Sequence, residues 1–220
     1  MVPYQSILGK LLYFRITRPD IMQIVSKLAS YASCWGMAHW KAAKYVLRYL
    51  KGTKEFGLLF RSAGKSITEP WDLEMYVDSD YATDVDTRRS RAGYLIYLNG
   101  NLISYRSCLQ PGKADIATGT CEAEYKALSL ALKEMAWIRM VLDTMGVDVK
   151  TPMMIWEDNQ ATIIKLCENV SAAKRTKHIH IRHHFIREFY NEGLIDIKYI
   201  YINRFTDRRH LNQMSRSLII

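Results

Sequence analysis

The dipeptide Asn99-Gly100 constrains the fold more than any other feature of this sequence. It separates two runs rich in β-branched and aromatic residues, RAGYLIYL and NLISYRS. Such a dipeptide between two such runs predicts a two-residue type I′ turn, and therefore an antiparallel β-hairpin over residues 91–107. The preceding residues, LEMYVDSDY, predict a further short strand that runs into acidic residues.

Helical and extended patterns alternate after the hairpin. A long helix is predicted over CEAEYKALSLALKEMAWIRMVLDTMG, ending at Gly146, and PMMIWEDNQ predicts a strand. NQATIIKLCEN predicts a short helix, HIRHHFIREFYNEG a helix that stops at Gly193, and LIDIKYIYI the last strand. The order β, β, β, α, β, α, α, β predicts an α/β (mixed α+β) protein in which helices cover a mixed sheet.

Residues 1–61 are predicted to be helical, with a break at RITRPD. Pro19 is suited to open a helix over Asp20–Tyr31, and AHWKAAKYVLRYLKGT predicts a longer helix with Gly52 as its C-cap. The cations of this helix share roughly one face: Lys41, Lys44, Arg48, Lys51 and Lys54. That face either follows a phosphate backbone or is an ordinary solvated helix surface.

The net charge favours a polyanionic partner. The chain carries 31 Lys and Arg against 22 Asp and Glu, a formal charge of +9, which suits nucleic acid, although a basic protein without such a partner remains the alternative. No apolar run approaches the ~20 residues that span a bilayer, and the N-terminal residues do not make a convincing signal peptide. Four scattered cysteines indicate reduced thiols. We therefore expect a cytoplasmic or nuclear protein that is not secreted and has no membrane partner.

Acidic residues stand at the ends of three predicted elements. They are Asp78 and Asp80 after the first strand, Glu122 and Glu124 at the start of the long helix, and Glu157 and Asp158 after the fourth strand. Chemistry gathers where strands end and helices begin in sheets of this kind. Converging carboxylates repel one another unless Mg²⁺ or Mn²⁺ neutralises them, and two such ions can cleave a phosphodiester. The alternative is that each acid merely decorates a helix start or strand end.

Six strings then make a family recognisable. In chain order they are TRPDI, AHWKAAKYVLRYLKGT, YVDSDYATDVDTRRSRAGYLIYLNG, CEAEYKALS, EDNQATI and TKHIHIRHHFIRE. Over about residues 3–201 the chain resembles the C-terminal part of copia-type retrotransposon Pol polyproteins. The resemblance implies a ribonuclease H-like five-stranded mixed sheet with flanking helices, preceded by a small helical segment. The implied division is 1–61, a reverse transcriptase thumb or connection remnant; 62–71, a linker; and 72–202, the ribonuclease H-like domain.

The resemblance also implies a site. Asp78, Glu124 and Asp158 match the family's catalytic acids and would hold two Mg²⁺ (or Mn²⁺) ions, which leaves Asp80, Glu122 and Glu157 as neighbours rather than ligands. The residues expected to contact nucleic acid are Lys41, Lys44, Arg48, Lys51, Arg88, Arg89, Asn159, Gln160, Lys177 and Arg182.

The C-terminal tail departs from the family. Family members continue with a string like TDSQIADILTK, whose second aspartate is a fourth metal-binding acid, whereas this chain reads NRFTDRRHLNQ. One permitted choice of codons for Asn203–Gln213, followed by the ATG of Met214 and read with its first base dropped, translates as TDSQIGDILTK. We therefore interpret residues 203–220 as an out-of-frame tail in which Arg209 takes the place of the fourth acid.

The implied activity is Mg²⁺-dependent cleavage of the RNA strand of RNA–DNA hybrids, impaired here by the loss of that acid. The implied partners are a hybrid or other nucleic acid and the parent reverse transcriptase and integrase polyprotein. Two alternatives stay open: a non-catalytic nucleic-acid-binding relic of a retroelement, and a secreted effector-like protein. The histidines His178, His180, His183 and His184 could bind zinc, but no cysteine lies at a finger spacing. Trp40, Trp137 and Trp156 are expected in the core.

Overall fold

The computed structural model describes residues 3–66, 68–84, 86–110, 117, 119–160, 163 and 177–200, with side chains in the last range from residue 184 onward. These residues form two compact units, the first ending at Leu59 and the second beginning at Phe60. The segment 62–71 therefore lies in the second unit, where Trp71 forms a β-bridge with Val149. Assigning each unit to a functional domain stays a prediction.

The first unit is helical, as predicted. Its helices are α1 (Tyr4–Phe14), α2 (Met22–Ser30) and α3 (Met37–Gly52), with a 3₁₀ turn at Pro19–Ile21. Apolar side chains from all three helices form one core: Tyr4, Leu8, Leu11, Ile21, Val25, Leu28, Ala43 and Val46. The three helices are therefore held together by their apolar faces rather than by isolated contacts.

The end of α3 differs from the prediction. Gly52 is the last helical residue rather than the cap, and Thr53 takes the cap position. The Thr53 hydroxyl donates to the Tyr49 carbonyl at 2.7 Å, while the buried Arg18 guanidinium donates to Thr53 and to Asp20. The helix therefore ends on a side-chain network, so it does not need the left-handed conformation for which glycine is suited.

The second unit is built on a five-stranded mixed sheet. Its strands are β1 (Leu73–Asp80), β2 (Arg91–Leu98), β3 (Asn101–Leu109), β4 (Met153–Glu157) and β5 (Ile195–Tyr199). They lie in the order β3-β2-β1-β4-β5, with β1, β2 and β3 antiparallel and β4 parallel to both β1 and β5. The predicted mixed sheet is confirmed, and β1 lies at its centre.

The predicted hairpin is also confirmed. Asn99 and Gly100 join β2 to β3 with φ angles of 48° and 79°. A type I′ turn needs positive φ at both central residues, which asparagine and glycine tolerate better than other residues. This turn fixes the register in which β2 and β3 pair.

Two described helices cover the sheet, α4 (Thr120–Thr144) and α5 (Lys177–Asn191). Helix α4 packs on β1 and β2 through buried residues including Leu128, Leu132 and Met135. The predicted helix ends are confirmed, and Gly146 and Gly193 have positive φ just after these helices. The helix predicted over residues 159–169 lies largely outside the described residues. Among the residues described, no helix is both long and apolar enough to cross a bilayer.

One tryptophan expected in the core is exposed. Trp137 is 56% exposed on α4, whereas Trp40 and Trp156 are partly buried. The buried face of α4 is the one that carries Leu128, Leu132 and Met135, and Trp137 lies outside it. The expectation for Trp137 was wrong because aromatic size says nothing about which helix face meets the sheet.

Candidate metal centre

Three of the acidic side chains predicted from the sequence meet at one edge of the sheet. Strands β1 and β4 are parallel and Val77 pairs with Glu157, so Asp78 and Asp158 follow at the same edge. Glu124, near the start of α4, joins them, and one carboxylate oxygen from each of Asp78, Glu124 and Asp158 lies within 4.8 Å of the others. The predicted convergence is therefore observed, while the catalytic roles stay predictions.

The protein alone does not compensate these charges. Burial, followed by the charges of Asp158 and Asp80, raises the pKa of Asp78 to about 7. Burial, followed by the charge of Glu157, raises the pKa of Glu124 to about 10. The pKa of Asp158 is also raised, mainly by burial. In the absence of a cation the pocket therefore retains protons near neutral pH.

Glu157 is the residue whose position the sequence reasoning undervalued. We expected Glu157 to be a neighbour of the metal ligands, and the structure places it at the end of β4 with 0% exposure. Its pKa is raised well above the ordinary value, first by burial. The alternation of Met153, Ile155 and Glu157 puts all three on one side of β4, so the pattern MMIWE already carried the signal for its burial.

The donor atoms fit a hard divalent cation. Among the described residues, the Oε2 atoms of Glu124 and Glu157 are buried without a hydrogen-bond partner, and such atoms are costly unless something positive neutralises them. All the donors are carboxylate oxygens, which suit Mg²⁺ or Mn²⁺ better than a softer metal. Asp78, Glu124 and Asp158 could hold such an ion.

Glu122 differs from these acids although it is only two residues from Glu124. Its carboxylate lies 2.7 Å from the ammonium group of Lys126, one helical turn later, and the Lys126 side chain is only 4% exposed. Glu122 is therefore neutralised within α4, and the expectation that it is a neighbour of the ligands rather than a ligand stays a prediction.

Gln110 is a residue of this site that the sequence reasoning missed. It follows β3, is 4% exposed, and its side-chain amide donates to the Ala123 carbonyl at 2.7 Å and to the Ser79 hydroxyl at 3.2 Å. It therefore joins the end of β1 to the start of α4. Only the contact with two distant segments reveals this role, so no local pattern could have found it.

The predicted nucleic-acid contacts of the first unit lie on the surface of α3. Lys41, Lys44, Arg48 and Lys51 are all exposed. The Lys44 ammonium lies 5.6 Å from the centre of the Trp40 ring, and the Arg48 guanidinium lies 5.2 Å from that of Tyr45. The face thus combines positive charge with aromatic surface. Its binding role stays a prediction.

The predicted contacts of the second unit have mixed environments. Arg88 and Gln160 are exposed, whereas Arg89 is partly buried and its guanidinium donates to the Gln110 carbonyl. The backbone N–H of Asn159 donates to Glu157 Oε1 at 3.4 Å. Lys177 and Arg182 lie in α5, but their side chains are outside the described part of the chain, as are those of His178, His180 and His183.

Comparison with known proteins identifies relatives of two kinds. No protein-family model matches the chain. The retrovirus-related Pol polyprotein from transposon TNT 1-94 of Nicotiana tabacum is 37% identical over 203 residues, which are 92% of this chain and 14% of that polyprotein. Secreted RxLR effector protein 161 of Plasmopara viticola is 43% identical over 138 residues, which are 62% of this chain and 92% of that protein.

A solved structure shares the fold. The foamy viral protease-reverse transcriptase, solved with double-stranded DNA, matches 92% of this chain and 38% of its own with a TM-score of 0.52 at 16% identity. The chain thus has the expected five-stranded mixed sheet with flanking helices, preceded by a helical segment. The chain is homologous to retrovirus-related Pol polyproteins from transposons, and it spans 14% of the length of the tobacco relative.

Proposed function

We propose that this chain is the C-terminal part of a copia-type Pol polyprotein whose acidic site acts on the RNA strand of RNA–DNA hybrids. The observation that supports this most directly is the meeting of the Asp78, Glu124 and Asp158 oxygens within 4.8 Å. These elements are distant in sequence, so their convergence at one sheet edge favours a common ligand over separate decoration of strand and helix ends.

The three carboxylates would hold two Mg²⁺ or Mn²⁺ ions. Bound ions of this kind supply a nucleophilic water at neutral pH and stabilise charge on the leaving 3′ oxygen. The residues themselves place negative charge at fixed positions, because β1 and β4 are neighbours in the centre of the sheet and α4 packs against β1. A site fixed on strands and a helix holds its geometry better than one carried on loops.

The substrate contacts would come from positive and polar side chains around this centre. Exposed Arg88 lies in the loop between β1 and β2, and Asn159 and Gln160 follow Asp158. In the first unit, the α3 face with Lys44 and Arg48 is a separate candidate surface for binding phosphates. A hybrid would be distinguished from DNA duplex by its 2′-hydroxyls and groove shape.

We further propose that turnover is weak. Arg209, which lies outside the described residues, stands at the sequence position of the family's fourth acid, and a cation there opposes binding of divalent ions. The natural setting of the chain would be a polyprotein with reverse transcriptase and integrase, in the cytoplasm or nucleus.

The experiment compares the chain with a variant whose residues 203–213 are replaced by TDSQIGDILTK. An end-labelled RNA strand in an RNA–DNA hybrid is incubated with each protein and Mg²⁺ or Mn²⁺. We expect slow or undetectable cleavage by the chain and faster cleavage by the replaced-tail variant. Introducing Asp78→Asn into that variant should abolish the activity, while DNA duplex should stay intact throughout.

The outcomes separate the parts of the proposal. Robust hybrid cleavage by the unaltered chain would refute the impairment alone. Salt-dependent hybrid binding without cleavage by either protein would favour the nucleic-acid-binding relic. If both proteins fail to bind the hybrid and fail to cleave it, the proposed function is refuted.

One observation supports a second candidate. The 43% identity covers 92% of a protein named as a secreted effector, so an effector-like role outside the producing cell is the alternative. Detecting the full chain in the medium of intact cells, with a cytosolic protein as the lysis control, would favour this candidate over a retroelement enzyme.

A further inference from the structure

Gln110 links the two segments that carry predicted metal ligands. One bond from its side-chain amide reaches the hydroxyl of Ser79, the residue after Asp78, and the other reaches the carbonyl of Ala123, the residue before Glu124. Both bonds are buried, so water competes with them little. A single amide group thus contacts the chain next to each of two carboxylates.

Gln110 is itself held in place from several directions. Its backbone N–H donates to the Ser90 carbonyl at 2.9 Å, and its own carbonyl accepts from the Arg89 guanidinium at 2.7 Å. The Ser90 hydroxyl in turn accepts from the backbone N–H of Ala82 at 3.1 Å, just beyond β1. The backbone of Gln110 is therefore held in place, and this limits how far its side-chain amide can move with either segment.

We propose that Gln110 is a positioning residue that sets the separation of the Asp78 and Glu124 carboxylates. The N-cap of α4, Gly119, makes no side-chain capping bond, so a cap does not fix the start of this helix. Without the amide, the first turns of α4 would still be held by apolar core residues such as Tyr125 and Ala127, but such packing is non-directional. A shift of the first turns of α4 would then move Glu124 relative to Asp78.

The inference rests on the proposed metal centre, so its test measures metal binding directly. Titration calorimetry with Mn²⁺ is carried out on the full chain, without nucleic acid. Gln110→Met keeps the length of the side chain and removes both bonds, and we expect Mn²⁺ affinity to fall about tenfold or more, as for other residues that orient metal ligands. Ser79→Ala removes one of the two bonds and should give a smaller loss.

A matched control separates positioning from lost stability. Leu102→Ala truncates a buried side chain of β3 at the end far from Gln110, so it should lower the melting temperature and leave Mn²⁺ affinity unchanged. Equal losses of affinity in Leu102→Ala and Gln110→Met would overturn the proposal, since both would then reflect stability.

The remaining outcomes are also decisive. If Asp78→Asn abolishes Mn²⁺ binding while Gln110→Met binds as the unaltered chain does, the positioning role fails and the metal centre stands. If Asp78→Asn itself binds as the unaltered chain does, the metal centre of the proposed function fails. Should Gln110→Met not fold, Ser79→Ala decides alone, because wild-type affinity in that variant would contradict the proposed link.

Discussion

Replacing Asp78 by asparagine should stabilise the metal-free protein at neutral and alkaline pH. In the folded chain burial and two neighbouring acids raise the pKa of Asp78 from 3.8 to about 7. A carboxyl whose pKa is raised by folding contributes stability that is fully present below its unfolded pKa and is lost as pH rises through its folded pKa. Asparagine has no proton to lose, so the variant should escape this loss.

The magnitude follows from the shift. About three pKa units at about 1.4 kcal/mol each give about 4 kcal/mol lost between pH 4 and pH 8. For a chain of this size each kcal/mol corresponds to about 2–4 °C, so the melting temperature of Asp78→Asn should exceed that of the unaltered chain by on the order of 10 °C at pH 8. Near pH 4 the two should melt together.

The assay is differential scanning calorimetry in EDTA at intervals from pH 4 to pH 9. Asp72→Asn is the matched control, because the salt bridge to Lys65 lowers the pKa of Asp72. The ionised Asp72 carboxylate therefore stabilises the folded chain at pH 8, and Asp72→Asn should melt slightly below the unaltered chain at that pH. Adding Mn²⁺ should raise the melting temperature of the unaltered chain but not that of Asp78→Asn. If Asp78→Asn melts below the unaltered chain at pH 8, or the difference does not change with pH, the reasoning about the pocket is refuted.

Two further predictions concern the basic face and the second buried carboxylate. Lys44→Gln combined with Arg48→Gln should weaken hybrid binding. It should also reduce the slope of log affinity against log salt concentration by up to about 0.9 per lost phosphate contact. Lys27→Gln is the control, and an equal change of slope in that variant would indicate an effect of net charge rather than of the α3 face. Glu157→Gln should raise the melting temperature in EDTA at pH 8, because it removes a buried carboxylate with an unpartnered oxygen, and a lower melting temperature would indicate that the carboxylate is satisfied in the folded chain.

The features that the sequence predicted well depend on short-range rules. Asn99-Gly100 predicted its turn because few other dipeptides accept two positive φ angles. Asp78, Glu124 and Asp158 were identified from their places at element ends and from the resemblance, and the parallel pairing of β1 with β4 brings the two aspartates to one edge.

The features that it missed depend on long-range packing. Gln110 bonds to residues 31 and 13 positions away, and no local pattern reports such contacts. Trp137 is exposed because α4 turns its other face to the sheet. Glu157 was within reach, since the two-residue alternation of β4 places it with Met153 and Ile155. It was misjudged because a charged residue is rarely fully buried, and such burial is informative when it occurs.

The acidic pocket contrasts with the positive net charge of the chain. Burial and mutual repulsion raise the pKa values of four carboxyl groups, those of Asp78, Glu124, Glu157 and Asp158. The chain as a whole nevertheless carries a formal charge of +9. If stability alone governed this edge of the sheet, amides or apolar side chains would serve better, because buried unpaired charge is costly. A bound cation would offset that cost, as the proposed function requires. The same cost explains why a variant that stabilises the metal-free chain is expected to lose metal binding.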